Sequence, residues 1–280
     1  MNRELRHMAC AGKTFFFASL WLPRIVREDA AVAYTFCRAV DDIADDPKGT
    51  ERARLPELIR GIERRESGIP LVQGVLGLIE RYPEVEEPLL ELVRSCAQDG
   101  PGIAINSTED LQRYCEGVAG TVGLLMYPIL GGRDSRGRAY AQALGVAMQC
   151  TNIARDIWAD VADGRVYLPR AWLGGGDLAQ LLDGGAGESR TVTTAVEQLL
   201  ELAAERYTFG LSGLGYLSPE CRRGIEIAAR CYGAIGGRVL SHGALVRSRA
   251  TVPFFQKVGI AARVYLNASS SGRGELAFSE

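Results

Sequence analysis

The residues best suited to chemistry in this sequence are carboxylates, and they come in two spaced sets. Asp41 and Asp45 lie four apart within residues 37–46 (CRAVDDIADD), so on a helix they share one face. Asn152, Asp156 and Asp160 repeat that spacing within residues 149–160 (QCTNIARDIWAD), with Gln149 three before Asn152 on nearly the same side. Like charges so placed weaken a helix by about 0.2–0.5 kcal/mol unless a cation neutralises them. Oxygen donors with almost no histidine nearby suit hard Mg2+ rather than zinc. Mg2+ keeps several waters and takes one or two carboxylates together with substrate phosphates. Two such faces brought together therefore read as a site for a diphosphate held through Mg2+. Arg38 and Arg155 flank the two sets and match phosphate oxygens in bidentate fashion. Either set alone is also what a solvated acidic helix face would show; the pair, with Asn152 aligned, favours the metal site.

These side chains need helices to carry them, and the periodicity supplies helices. Ala30, Ala33, Tyr34, Cys37, Val40 and Ala44 recur at spacings of three and four. Residues 85–98, 109–131, 137–163, 191–211 and 219–240 read the same way, and strand-like alternation is scarce. Breakers separate them: Pro47-Lys48-Gly49, Gly100-Pro101-Gly102, Gly174-Gly175-Gly176 and Gly184-Gly185. Ser218-Pro219 predicts a helix start, and residues 163–166 (DGRV) a helix ending. The expected architecture is one all-α domain of eight to ten helices over residues 1–268, with a flexible Ser/Gly-rich tail over 269–280.

Composition narrows the function. The chain has 280 residues, 47% hydrophobic and 24% charged, with a net charge of −2, so neither disorder nor nucleic-acid binding is expected. A compact chain of this size buries about three quarters of its unfolded surface, enough for a large core and an internal cavity. Two histidines, His7 and His242, leave little for a zinc site or a Ser-His-Asp hydrolase. Seven cysteines without CxxC spacing read as reduced, mostly buried thiols of a cytoplasmic protein. No signal peptide, membrane span or carboxy-terminal anchor is expected. Arg3, Arg6 and Arg24, with Phe and Trp between them, are compatible with peripheral membrane contact, though a solvated face beside core aromatics explains them better.

Beyond the two aspartate sets, GKTFFFASLWLP, AYTFCRAVDDIAD, YCEGVAGTVGLLMYPIL and LGVAMQCTNIARDIWADVADGRVYLP cover much of the chain. Together they resemble the squalene/phytoene synthase family, the head-to-head prenyl transferases. The resemblance implies an all-α isoprenoid-synthase bundle around a central apolar cavity. Two allylic prenyl diphosphates, farnesyl or geranylgeranyl, would bind with Mg2+ and condense through a cyclopropylcarbinyl diphosphate. It implies Asp41, Asp45, Asn152, Asp156 and Asp160 as the metal and diphosphate shell. Gly12, Lys13, Arg38 and Arg155 become diphosphate contacts, and Tyr34, Tyr114, Gln149, Tyr232 and Arg249 further active-site groups. Phe15, with the tyrosines, would face carbocations. Chain length would be set by Ser19, Val118, Val122, Leu130, Leu144 and Met148. Small residues Ala119, Gly120 and Gly123 either leave room for a polyprenyl tail or permit close helix packing.

The sequence departs from the family at Gly12, where many members have Ser, and at Ala159, where a Glu is frequent; both put the metal count in question. Gly12-Lys13-Thr14 mimics the end of a phosphate-binding loop, but His7 stands where its first glycine belongs and no strand precedes it. The favoured activity makes phytoene or dehydrosqualene for carotenoids. The alternatives are squalene synthesis with NADPH or presqualene diphosphate synthesis, a chain-elongating prenyl transferase or terpene cyclase, and a non-catalytic assembly-factor relative.

Overall fold

The computed structural model of the chain describes residues 2–46, 49–99, 105–183, 186–242 and 249–267; the 100–102 and 184–185 breakers, Pro47-Lys48 and the 269–280 tail lie outside them. Among the described residues the regular structure is helical, without strands. The segments are α1 (Arg3–Ala11), α2 (Lys13–Ser19), α3 (Arg24–Ala44), α4 (Arg54–Arg64), α5 (Pro70–Arg81), α6 (Glu86–Gln98), α7 (Thr108–Cys115), α8 (Thr121–Ile129), α9 (Gly137–Ala162), α10 (Leu178–Asp183), α11 (Ala186–Ser212), α12 (Pro219–His242) and α13 (Phe254–Asn267). These thirteen segments exceed the eight to ten expected, because Gly12 breaks the amino-terminal helix, α10 is a short extra segment, and α7 and α8 are parts of one helical run divided by a π-helical turn.

Two clusters form most of the core. One gathers α9, α11 and α12 around Leu144, Ala147, Ile153, Leu199 and Tyr207; the other gathers α3 to α6 and α8 around Phe36, Val40, Leu58, Leu78 and Leu89. α9 is the spine, packed along α11 and also against α8 and α12. Close approach between α8 and α9 depends on glycine. A Cβ on Gly123 would stand 2.1 Å from the Ala141 carbonyl oxygen, and one on Gly145 2.0 Å from that of Ala119. Gly120 is likewise closed in by Gln142. Close packing thus explains Gly120 and Gly123.

The sequence predicts one helix over 109–131; the helical run is unbroken over 108–129 but turns π-helical at Glu116–Gly120, between α7 and α8. The extra residue of such a turn shifts the side chains that follow, and these turns recur at functional sites. Here it stands where Val118 and Ala119 meet the central cavity.

Candidate active site

α3 buries Ala30, Ala33, Phe36, Val40 and Ala44, and each fully buried large side chain such as Phe36 contributes about 1.5–3 kcal/mol. That fixed orientation leaves Tyr34, Arg38, Asp41 and Asp45 on a neighbouring face. Arg38 donates from Nη1 to Asp41 Oδ2 at 3.0 Å and pairs through Nη2 with Asp42 Oδ1 at 2.7 Å. Asp41 keeps a half-exposed side chain, yet dense protein surrounds it. Burial, with Asp45 beside it, pushes its carboxyl up to about 6 against the pull of Arg38.

α9 ends as the sequence predicts. Gly164 takes φ of 74°, its N–H donates to Val161 O at 3.0 Å, and Arg165 N–H donates to Asp160 O at 2.8 Å. This is a Schellman ending, in which glycine bears the left-handed conformation at no steric cost. The reversal delivers Arg165 to α3, where its guanidinium bonds the Asp45 carboxylate and backbone oxygen. One arginine therefore ties the ends of the two aspartate-bearing helices together. Asp160 is pushed up to about 7 by burial and by Asp156, with Arg165 opposing. Asp156 goes the other way. Burial resists its ionisation, but Arg155 and Arg249 outweigh it and hold the carboxyl below the usual range. Arg249 reaches its two oxygens at 2.8 and 3.0 Å.

Beside these charges lies a cavity of about 750 Å3, lined mostly by apolar side chains. Its walls include the expected Gly12, Lys13, Phe15, Ser19, Tyr34, Arg38, Asp41, Val118, Val122, Leu130, Leu144, Met148, Gln149, Asn152, Arg155, Tyr232 and Arg249. Phe15 packs against Tyr232 at 4.8 Å and Tyr34 at 5.9 Å between ring centroids. Burial pushes the Tyr232 phenol up to about 12 and also raises Tyr34, so both stay protonated as donors. Gly12 permits this cluster: a Cβ there would lie 2.7 Å from the Tyr34 phenol, so the serine frequent in the family would displace the ring as it stands.

Four expected residues stand outside the cavity wall. Asp45 and Asp160 adjoin it through the Arg165 network, and Asp156 reaches it through Arg155 and Arg249. Tyr114 turns instead to Asp99, donating at 2.9 Å, and stacks on Tyr167 at 4.8 Å. Tyr167 also donates to Asp99. Burial raises the Asp99 carboxyl despite Tyr114, with Asp45 adding to the effect. Asp99, an isolated acid in a loop, carries no spacing signal in the sequence. Lys257 was also not singled out. It is buried on α13, lines the cavity, and has its ammonium pKa lowered by burial, with Lys13 adding to that.

A hard divalent cation fits these donors. Asn152 Oδ1 is buried without a hydrogen-bond partner, an oxygen positioned beside the aspartates and lacking a donor. Among the described residues, no three His, Cys, Asp or Glu side chains form a ready ligand set. Arginines pair with Asp41, Asp45 and Asp156, which suits an ion that takes few protein ligands at once and completes its shell with water and phosphate.

A model of the squalene/phytoene synthase family matches residues 8–256. The chain belongs to that family. Members are divalent-metal-dependent enzymes acting on prenyl diphosphates, and this chain is a prenyl transferase of their head-to-head type. Among its relatives, a phytoene synthase of Thermus thermophilus is 36% identical over 235 residues, 82% of this chain and 80% of that protein. A 15-cis-phytoene synthase of a Paracoccus species is 30% identical over 264 residues, 89% of this chain and 85% of that one. A crystal structure of a dehydrosqualene synthase with a ligand superimposes with a TM-score of 0.85 at 25% identity, covering 95% of each chain. The all-α isoprenoid-synthase fold expected from the resemblance is therefore the fold of this chain.

Proposed function

We propose that this enzyme joins two geranylgeranyl diphosphates head to head into phytoene, without NADPH. One observation carries the reading: a largely apolar cavity of about 750 Å3 carries Arg38, Asp41, Asn152, Arg155 and Arg249 in its wall. A diphosphate with a polyprenyl tail has that same division of character. Relatives named phytoene synthase support the C20 substrate, and small wall residues such as Ala18, Ser19 and Ala33 leave room for it. The 0.85 superposition on a dehydrosqualene synthase favours a second reading, the C30 condensation of two farnesyl diphosphates.

Lys13, Arg38, Arg155, Arg249 and Lys257 draw the diphosphates to that wall by charge and hydrogen bonding. Mg2+, when bound by Asp41, Asp45, Asn152, Asp156 and Asp160, would neutralise negative charge building on the leaving diphosphate. Tyr34 and Tyr232 keep their phenolic protons and serve as hydrogen-bond donors. With Phe15 they also present aromatic faces to an allylic cation, an interaction worth about 0.5–2 kcal/mol in a dry site. The apolar wall excludes the water that would trap the cation as an alcohol.

Asp41→Asn and Asp156→Asn test the assignment. Each change is expected to lower turnover by about a hundredfold or more while circular dichroism stays that of the parent. Full activity in both would remove the aspartates from the reaction.

A further inference from the structure

The C-terminal ends of α3 and α6 meet beside the aspartate site. The last four carbonyls of an α-helix have no partner within it, and the aligned peptide dipoles leave about half a negative charge at that end. Neither helix carries a basic residue in its last turn. Acids gather there instead, Asp41 and Asp45 at the end of α3 and Asp99 directly after α6. Besides burial, Asp99 helps to raise the Asp41 carboxyl, and Asp45 that of Asp99.

A cation from a separate turn meets this charge. Arg52 aims its two terminal nitrogens at different helices. Nη1 donates to Ala44 O of α3, while Nη2 donates to Ala97 O of α6 at 3.0 Å and to Asp99 O just beyond it. Arg52 is half-buried on a single 3-10 turn, Glu51–Ala53. Asp46 holds the start of that turn, its Oδ2 accepting from Thr50 Oγ1 at 2.8 Å and from the Glu51 N–H at 2.9 Å. Leu55 and Leu58, which follow, are buried in the core cluster shared by α3 and α6. A guanidinium suits the task because its donors form a rigid planar fork, whereas a lysine ammonium is a point charge on a flexible stem.

The end of α9 docks on the two termini that Arg52 joins. Arg165 bonds Asp45 at the end of α3, and Tyr167, two residues later, donates to Asp99 at the end of α6. Asp156 and Asp160 lie just before this ending. We propose that Arg52 is a positioning residue for the metal site: by bridging the terminal carbonyls of α3 and α6, it holds the two aspartate sets in register for Mg2+. This rests on the reading of those aspartates as Mg2+ ligands.

Magnesium titration of the purified protein with inorganic diphosphate present, followed by thermal shift, tests it, beside hydrogen exchange of the metal-free protein. Arg52→Ala is expected to weaken the apparent Mg2+ affinity about tenfold or more. Without metal it is expected to lose protection of backbone amides at the ends of α3, α6 and α9. Arg52→Lys keeps the charge without the fork and is expected to fall between Arg52→Ala and wild type. Glu86→Gln is the control. It breaks the bidentate pair with Arg65, two bonds of 2.7 Å that tie the end of α4 to the opposite end of α6, and is expected to leave Mg2+ affinity unchanged. Wild-type affinity in Arg52→Ala, or an equal loss in Glu86→Gln, would overturn the proposal. So would Arg52→Lys matching wild type, since charge without the fork would then suffice. A wild-type protein that gives no Mg2+-dependent shift would refute the metal reading itself, and the proposal with it.

Discussion

Burial of carboxylates, with repulsion between them added, is the dominant feature of the site at the scale of single residues. Burial lifts Asp41 to about 6 and Asp160 to about 7, where an ordinary aspartate ionises near 3.8. Between the ordinary value and those values the folded protein holds more protons than the unfolded chain. Metal-free stability therefore falls as pH rises through that window. A divalent cation reverses the penalty by favouring the ionised forms. Thermal stabilisation by Mg2+ is thus expected to be slight near about pH 5.5 and to grow towards about pH 8. Differential scanning fluorimetry at the two pH values measures it, and equal shifts would contradict the account. Both aspartate sets were legible in the sequence because spacing four on a helix is a local property. Asp99 and Lys257 were not: each is a single ionisable residue whose placement depends on chain segments distant in sequence.

At the scale of elements, the site depends on how α3, α8 and α9 are held. The ending of α9 was readable from Asp163-Gly164, since glycine after a periodic run marks a helix end. That the following Arg165 pairs with Asp45 was not readable, because the contact spans 120 positions. The π-helical turn at Glu116–Gly120 was hidden for another reason. Its residues continue the helical apolar period, and the change is in the hydrogen bonding alone. The role of small residues in this region was left open by sequence and is decided by backbone contacts at Gly123 and Gly145. Gly145→Ala would press a methyl group onto the Ala119 carbonyl. It should cost about 1–3 kcal/mol, lowering Tm by roughly 2–10 °C. An unchanged melting temperature would show that α8 and α9 separate easily.

At the scale of the whole molecule, a cavity of about 750 Å3 joins walls from α2, α3, α9, α12 and the segment leading into α13. Its charged lining is Lys13, Arg38, Asp41, Arg155, Arg249 and Lys257, and most of the remainder is apolar or aromatic. This division assigns the diphosphates and the hydrocarbon tails to different parts of one space. Among the described residues no helix is long and apolar enough to cross a membrane. The central claim is that this space joins two C20 diphosphates. Purified protein with Mg2+, given geranylgeranyl or farnesyl diphosphate with and without NADPH, and its extracted products identified by mass spectrometry, tests it most directly. The account predicts a C40 hydrocarbon, phytoene, from geranylgeranyl diphosphate without NADPH; absence of any condensed hydrocarbon from that substrate would contradict it.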